Sequence, residues 1–194
     1  MMVPMSLLHY VSHPEVVIDP DVPVPEWHLS DVGRARAAAL ATQSWVTSVD
    51  RVVSSPETKA TQTAALLAAR LDLTVEVRIA TAEIDRSATG YGPADRHEEL
   101  ADRLFAAPTV SASGWERGID ALARMVDGLG DLVVDRPGDV VVVGHGGVGT
   151  LLLCDVAGWE IDRRHDQPRA GCRWTFDRST RRLVHGWRPF EDGA

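Results

Sequence analysis

Two histidines stand where the chain is expected to leave a strand, and each could meet an anion there. His145 lies in residues 139–150, DVVVVGHGGVGT. The four valines at 140–143 suit a strand buried on both faces. The glycines that follow let the backbone turn sharply, and the apolar run at 148–156 predicts a helix packing back on the sheet. His145 then sits at the carboxyl end of a strand, just before a helix N-terminus. Open α/β sheets bind ligands at that edge, and backbone N–H groups and the helix dipole favour an anion. His13 follows residues 6–11, SLLHYV, which read as the first strand. Pro14 keeps that strand from continuing in mid-sheet. Ser54, Ser55 and Lys59 follow the second strand, residues 49–53, in the same way.

A rival reading competes for the His145 stretch. Gly144, Gly146 and Gly149 spell G-x-G-x-x-G, the dinucleotide fingerprint. That reading needs more βαβ structure downstream. Only about 45 residues remain, against roughly 30 for each such unit.

The elements that must position these groups can be read from capping and periodicity. Ser30 is a fitting N-cap and Asp31 suits the first turn of a helix expected to reach residue 44. Ser55 is expected to cap the next helix, with Pro56 at its first position, and that helix should run to residue 70. Residues 74–77 read as a short third strand, and 83–93 (EIDRSATGYGP) as a polar loop. Helices are expected at 94–105 and 115–131. After the His145 helix comes a polar loop, 163–171, then two strands, 172–177 and 183–187, paired through a turn at 178–181. Strands alternating with helices imply an α/β fold. The expectation is a single three-layer α/β/α domain over residues 1–194, with a mainly parallel central sheet.

Composition narrows the partners. The chain has 194 residues, ordinary globular hydrophobic and charged fractions, and a net charge of −8 with no basic block. Nucleic acid is therefore not expected as a partner. No apolar run approaches a membrane span, and no basic stretch with a long apolar segment opens the chain, so neither membrane nor signal peptide is expected. Cys154 and Cys172 make no metal pattern and read as free thiols in a reducing cytoplasm. Neither a cofactor nor a metal is expected, and a homodimer is left open. Of the 20 basic residues Lys59 is the sole lysine.

Taken in order, these stretches resemble the histidine phosphatase superfamily, also called phosphoglycerate mutase-like. LLHYVSHPE resembles its apolar first strand ending in Arg-His-Gly-Glu, and HLSDVGRARAAAL is similar to Leu-Thr-x-x-Gly-x-x-Gln-Ala. VVSSPETKATQTA resembles Ser-Ser-Pro-x-x-Arg-Ala-x-Gln-Thr-Ala. AEI falls at the family's acid, and VVVVGHGGVGTLLL is close to its Ser-His-Gly-Gly strand and helix. The resemblance implies that His13 is the nucleophile that accepts a phosphoryl group and that His145 helps hold its oxygens. It implies that Glu83 protonates the leaving oxygen, with Asp85 a local competitor. The phosphate is expected against Ser12, Lys59, Arg86 and Gly146.

The departures fall in that pocket. Ser12 stands where the family has arginine, Pro14 where it has glycine, and Lys59 where it has a second arginine. Arginine is a planar fork that grips two oxygens, whereas lysine is a point charge and serine has none. Losing one such donor costs about 3–4 kcal/mol of transition-state stabilisation. Arg86, close to Glu83, is the first candidate to compensate. His9, His28, His97, His165 and His185 read as structural or solvated, with substrate contact the lesser reading for the loop His165, Asp166 and Gln167. The expected function is hydrolysis of a small phosphorylated metabolite through a phosphohistidine at His13, with attenuated activity. Mutase activity is less expected. The alternative is a non-catalytic phosphate-ligand sensor or interaction module on the same fold.

Overall fold

The valine-rich segment becomes β4 (Asp139–Gly144), and every residue of it is buried. In the computed structural model, which describes residues 6–132 and 138–193, β4 lies between β1 (Leu7–Ser12) and β2 (Val49–Ser54). Both neighbours run parallel to it. β3 (Val75–Val77) adds in parallel outside β2. On the other side β5 (Cys172–Asp177) runs antiparallel to β1, and β6 (Arg182–Pro189) antiparallel to β5. The six strands lie in the order β3-β2-β4-β1-β5-β6. The chain comes back after β4 as a hairpin, not as another parallel crossover. The dinucleotide reading of Gly144, Gly146 and Gly149 thus loses the continuation it required.

Alternation along the strands sends side chains to two cores. Leu8, Tyr10, Val140 and Val142 pack under α3 (Ala94–Ala106), α4 (Gly118–Leu129) and α5 (Gly146–Ala157). Val11, Val52, Val141 and Val143 pack under α1 (Asp31–Leu40) and α2 (Thr58–Leu71). Each fully buried valine or leucine contributes about 1.5–3 kcal/mol, so the central strands are held from both faces. Their carboxyl ends form a rigid edge.

Three expected boundaries move, each for a local reason. α1 stops at Leu40 because the Thr42 hydroxyl donates to the Ala39 carbonyl at 2.8 Å and competes with the helix. α2 begins at Thr58, so Ser55 does not cap it and Pro56 is not its first residue. The Ser55 hydroxyl meets His145 instead. α4 begins at Gly118 because Ser113 and Gly114, with φ of 54° and 87°, turn the chain just ahead of Trp115.

The loop that leaves β1 is tied down by α1. Ser30 caps the helix by accepting the Gly33 N–H at 3.0 Å, and its hydroxyl also donates to the Glu15 carbonyl at 3.3 Å. A Cβ at Gly33 would lie 2.0 Å from that carbonyl oxygen, so only glycine lets α1 come so close. One capping residue therefore serves both the helix and the backbone that follows His13.

Candidate functional site

His13 follows β1 directly. Its N–H donates to the Gly144 carbonyl at 3.0 Å, and its own carbonyl accepts the Gly171 N–H at 3.1 Å. The ring is aimed from a backbone pinned on both sides. Nδ1 lies 2.8 Å from the Pro14 carbonyl oxygen. A carbonyl oxygen only accepts, so Nδ1 carries the proton and Nε2 keeps its lone pair. Burial, with His145 and the Lys59 charge adding to it, pushes the pKa down to about 3. His13 is neutral at physiological pH with Nε2 available to attack.

His145 is the N-cap position of α5 and is 1% exposed. Tyr10, wholly buried in β1, fixes its peptide: the phenol donates to the His145 carbonyl and accepts the His145 N–H, both at 3.1 Å. Ring centroids of His13 and His145 are 5.3 Å apart at 70°. Nε2 of His145 is 2.7 Å from Ser55 Oγ and 3.4 Å from Glu57 Oε1. Nδ1 is buried with no hydrogen-bond partner among the described residues. Burial lowers the His145 pKa against the pull of Glu57 and Glu83.

Glu83 lies on the first turn of α5. Its Oε1 accepts the Val148 N–H at 2.9 Å and its Oε2 the Gly147 N–H at 3.2 Å. Ile84 donates to Oε1 as well, at 2.9 Å. Burial raises the pKa of this carboxyl, but Arg86, His145 and the Ile84 N–H outweigh it and the net shift is downward. Glu83 is thus a carboxylate at rest, held by a helix N-terminus. Asp85 is exposed and accepts the Ser87 N–H at 2.8 Å, closing a turn. The structure gives Glu83, not Asp85, to the cavity.

The cavity measures about 440 Å³, and His13, Glu83, Arg86 and Gly146 all line it. Arg86 stacks over Trp115 with its guanidinium carbon 5.7 Å from the ring centre, and donates to His97 Nε2 at 3.2 Å. It makes no ion pair among the described residues. By contrast Arg163 pairs with Glu98 and Asp102, and Arg169 with Glu191. His97, read from sequence as structural or solvated, is a wall residue of the cavity.

Two expected phosphate contacts lie elsewhere. Ser12 is fully buried, donates to Gln167 Oε1 at 2.5 Å, and accepts the Cys172 N–H at 3.0 Å. Lys59 is 3% exposed; its ammonium pairs with Glu57 and donates to the Val24 carbonyl at 2.8 Å. Neither side chain lines the cavity. Lys59 still acts at a distance, since its charge helps to lower both histidine pKa values. Gln167, from the candidate loop, does line the cavity, and its amide Nε2 would be 2.2 Å from a Cβ at Gly146. The glycine makes room for that amide above α5. His165 stacks on Trp159, 4.4 Å between ring centres, and does not line the cavity.

Sequence reading missed Glu57 and the contact of Ser55 with His145. The available signal was an acid two residues before the sole lysine, which is an unusual place for a helix-start charge to be buried. Among the described residues no cluster of His, Cys, Asp and Glu is arranged to hold a metal ion, and no helix is long and apolar enough to cross a membrane.

Comparison with known proteins agrees with this layout. The model of the histidine phosphatase superfamily, branch 1, matches residues 19–184. That span includes Lys59, Glu83, Arg86 and His145, and begins after Ser12 and His13. No curated protein matches the chain. Among solved structures, the mycobacterial glucosyl-3-phosphoglycerate phosphatase in complex with inorganic phosphate is 22% identical. The match covers 96% of this chain and 99% of that one, with a TM-score of 0.75. Mycobacterial hydrolase 1 is 21% identical over 89% of each chain, with a TM-score of 0.73. Bacillus stearothermophilus YhfR is 16% identical over 95% of each, with a TM-score of 0.71. At these identities the likeness shows the fold.

Proposed function

The chain belongs to branch 1 of the histidine phosphatase superfamily, and on that footing we propose that it hydrolyses a small phosphorylated metabolite through a phosphohistidine at His13. The observation that carries this reading is the state of His13: a neutral ring on the cavity wall, its Nδ1 proton held by Pro14, with the buried His145 ring 5.3 Å behind it and outside the cavity lining. In the first step Nε2 attacks phosphorus, an N–P bond forms, and the P–O bond to the leaving group breaks. The leaving oxygen takes one proton. Glu83 is the carboxyl placed to relay it, but it rests as the anion. The proton therefore arrives with the substrate, as the phosphomonoester monoanion, and passes through Glu83. In the second step water attacks phosphorus, Glu83 takes the water proton, the N–P bond breaks, and phosphate leaves as Glu83 gives that proton up to it and returns to the anion. Arg86 and the Gly146 backbone, which line the cavity, and Nδ1 of His145, which has no partner among the described residues, are the groups we assign to the phosphoryl oxygens.

A cavity of about 440 Å³ exceeds what a phosphate alone needs, so the substrate carries an organic body. The similar mycobacterial enzyme is a glucosyl-3-phosphoglycerate phosphatase. That supports a phosphatase over a mutase here. The free cysteines Cys154 and Cys172 are both buried and suit a cytoplasmic location. A second reading is a phosphate-ligand sensor. The engagement of Ser12 by Gln167 and of Lys59 by Glu57 favours it, because both positions then give no direct cation to the ligand. A phosphomonoester panel decides between them. Wild type is expected to turn over at least one ester and His13→Ala none. Binding without turnover across the panel would favour the sensor.

A further inference from the structure

Glu57 precedes α2 with an extended backbone and makes no side-chain cap to it. Its carboxylate, only 8% exposed as a residue, is directed into the site. Oε1 accepts the Glu83 N–H at 3.0 Å and stands 3.4 Å from His145 Nε2, while Oε2 pairs with Lys59. Ser55 Oγ lies 2.7 Å from the same Nε2 and accepts the Glu57 N–H at 3.3 Å. The other ring nitrogen, Nδ1, is buried and has no partner among the described residues. One edge of the imidazole therefore meets a hydroxyl and an anion, and the other meets no protein acceptor. The remaining ionisable groups acting on this ring are Lys59 from α2, Glu83 and Arg86 from the loop after β3, and the neutral His13 from the end of β1. Tyr10 meets only its backbone. Burial, Lys59 and Arg86 disfavour a proton on this ring and Glu57 and Glu83 favour one, so a bound dianion adds to the side of the two acids.

Resting on the phosphatase reading of the cavity, we propose that Glu57 is a positioning residue that makes His145 a ligand-linked cation. An oxyanion bound beside His13 draws one proton from solvent onto His145. Nε2–H then meets Ser55 and Glu57, and Nδ1–H meets the anion. No other proton moves and no bond to phosphorus changes. The site gains on binding a positive charge that Ser12 does not carry and that Lys59 shares with Glu57. Affinity and proton uptake are two sides of one linkage.

The test uses sulfate, a dianion that does not titrate across the neutral range. Calorimetry in two buffers of different ionisation enthalpy counts the protons bound. Wild type is expected to take up about one proton per sulfate, and its Kd to weaken about tenfold per pH unit above neutrality. Glu57→Gln keeps the shape and an acceptor oxygen but not the charge. Its uptake is expected to fall towards zero and its Kd to become nearly independent of pH. A Glu57 that only supports the fold would weaken sulfate by one factor at every pH and leave the proton count at one, which would overturn the proposal. Uptake surviving in His145→Gln would place the proton elsewhere and overturn it too. If Glu57→Gln does not fold, Lys59→Met combined with Glu57→Gln, which strands no buried charge, takes its place, and a proton count staying at one there would overturn the proposal. Sulfate binding without proton uptake removes the role of Glu57 alone. A folded wild type that binds neither sulfate nor inorganic phosphate removes the anion site, and the phosphatase reading with it.

Discussion

Ser12 Oγ donates to Gln167 Oε1 at 2.5 Å, joining the end of β1 to a loop 155 residues away. With its oxygen engaged by Ser12, the Gln167 amide presents Nε2 above Gly146 at the cavity. A neutral amide donor therefore stands beside the position where the family's arginine would act. Gln167→Ala should weaken inorganic phosphate roughly tenfold, the upper range for one neutral hydrogen bond. Gln167→Glu should weaken it further by placing a like charge next to the anion. Isothermal titration with phosphate checks both. Unchanged affinity in Gln167→Glu would show that the amide does not meet the ligand.

The same contact changes what a restored arginine can do. Ser12 is fully buried, so Ser12→Arg has no room while Gln167 is in place and should lower the melting temperature and kcat/KM. Ser12→Arg combined with Gln167→Gly opens that space. The pair should gain about tenfold in kcat/KM on a generic phosphomonoester over Gln167→Gly alone. Such a gain is about 1.4 kcal/mol, modest for a charge-assisted contact. Steady-state kinetics of the single and double variants give the answer.

Lys59 and Glu57 form a buried pair, and breaking one side leaves a buried charge. Lys59→Met should destabilise the protein by about 3–5 kcal/mol, and adding Glu57→Gln should recover much of that loss. Urea denaturation of the four proteins in the cycle measures the coupling. Simple additivity would mean that the pair is not a coupled unit.

Stability should fall in acid in two stages. Burial holds His13 at a pKa of about 3, below its ordinary 6.5. The unfolded chain therefore binds this proton more readily, and stability is lost as pH drops from 6.5 towards 3. Glu57 has its pKa pushed down to about 2 from 4.5: burial opposes the shift, but His145 and Lys59 outweigh it. Its contribution, on the order of 3 kcal/mol, is complete above pH 4.5 and lost as pH falls towards 2. His145 and His185 are also held below 6.5 by burial and share the upper stage, so His13→Gln should make it shallower and leave the lower one. Denaturant midpoints across pH separate the two. A His13→Gln curve parallel to wild type at pH 5 to 6.5 would contradict the His13 assignment.

What the sequence made legible followed local rules. The valine run of β4, the Ser30 cap and the β5–β6 turn each declare themselves through burial periodicity, capping or turn chemistry. His13 and His145 were legible as candidates because strand ends at one edge converge, and Glu83 only through the resemblance of its stretch to the family's acid. The partners of Ser12 and Lys59 were not. Gln167 and Val24 reach them only after folding, across long separations, and no local pattern encodes such a meeting. Ser55 illustrates the same limit: its sequence reads as a helix cap, and tertiary contact with His145 takes its hydroxyl instead. His97 on α3 is ordinary in sequence and becomes a cavity wall only because Arg86 folds over Trp115 beside it.

The central claim is that His13 Nε2 takes the phosphoryl group, and trapping the intermediate tests it most directly. A turning-over substrate is quenched, and the protein is mapped for a phosphoryl group that is lost in acid and survives alkali. The group is expected on the peptide containing His13, and absent in His13→Ala, which should be inactive on the same substrate. Turnover persisting in His13→Ala, or a phosphoryl group found on another residue, would contradict the claim.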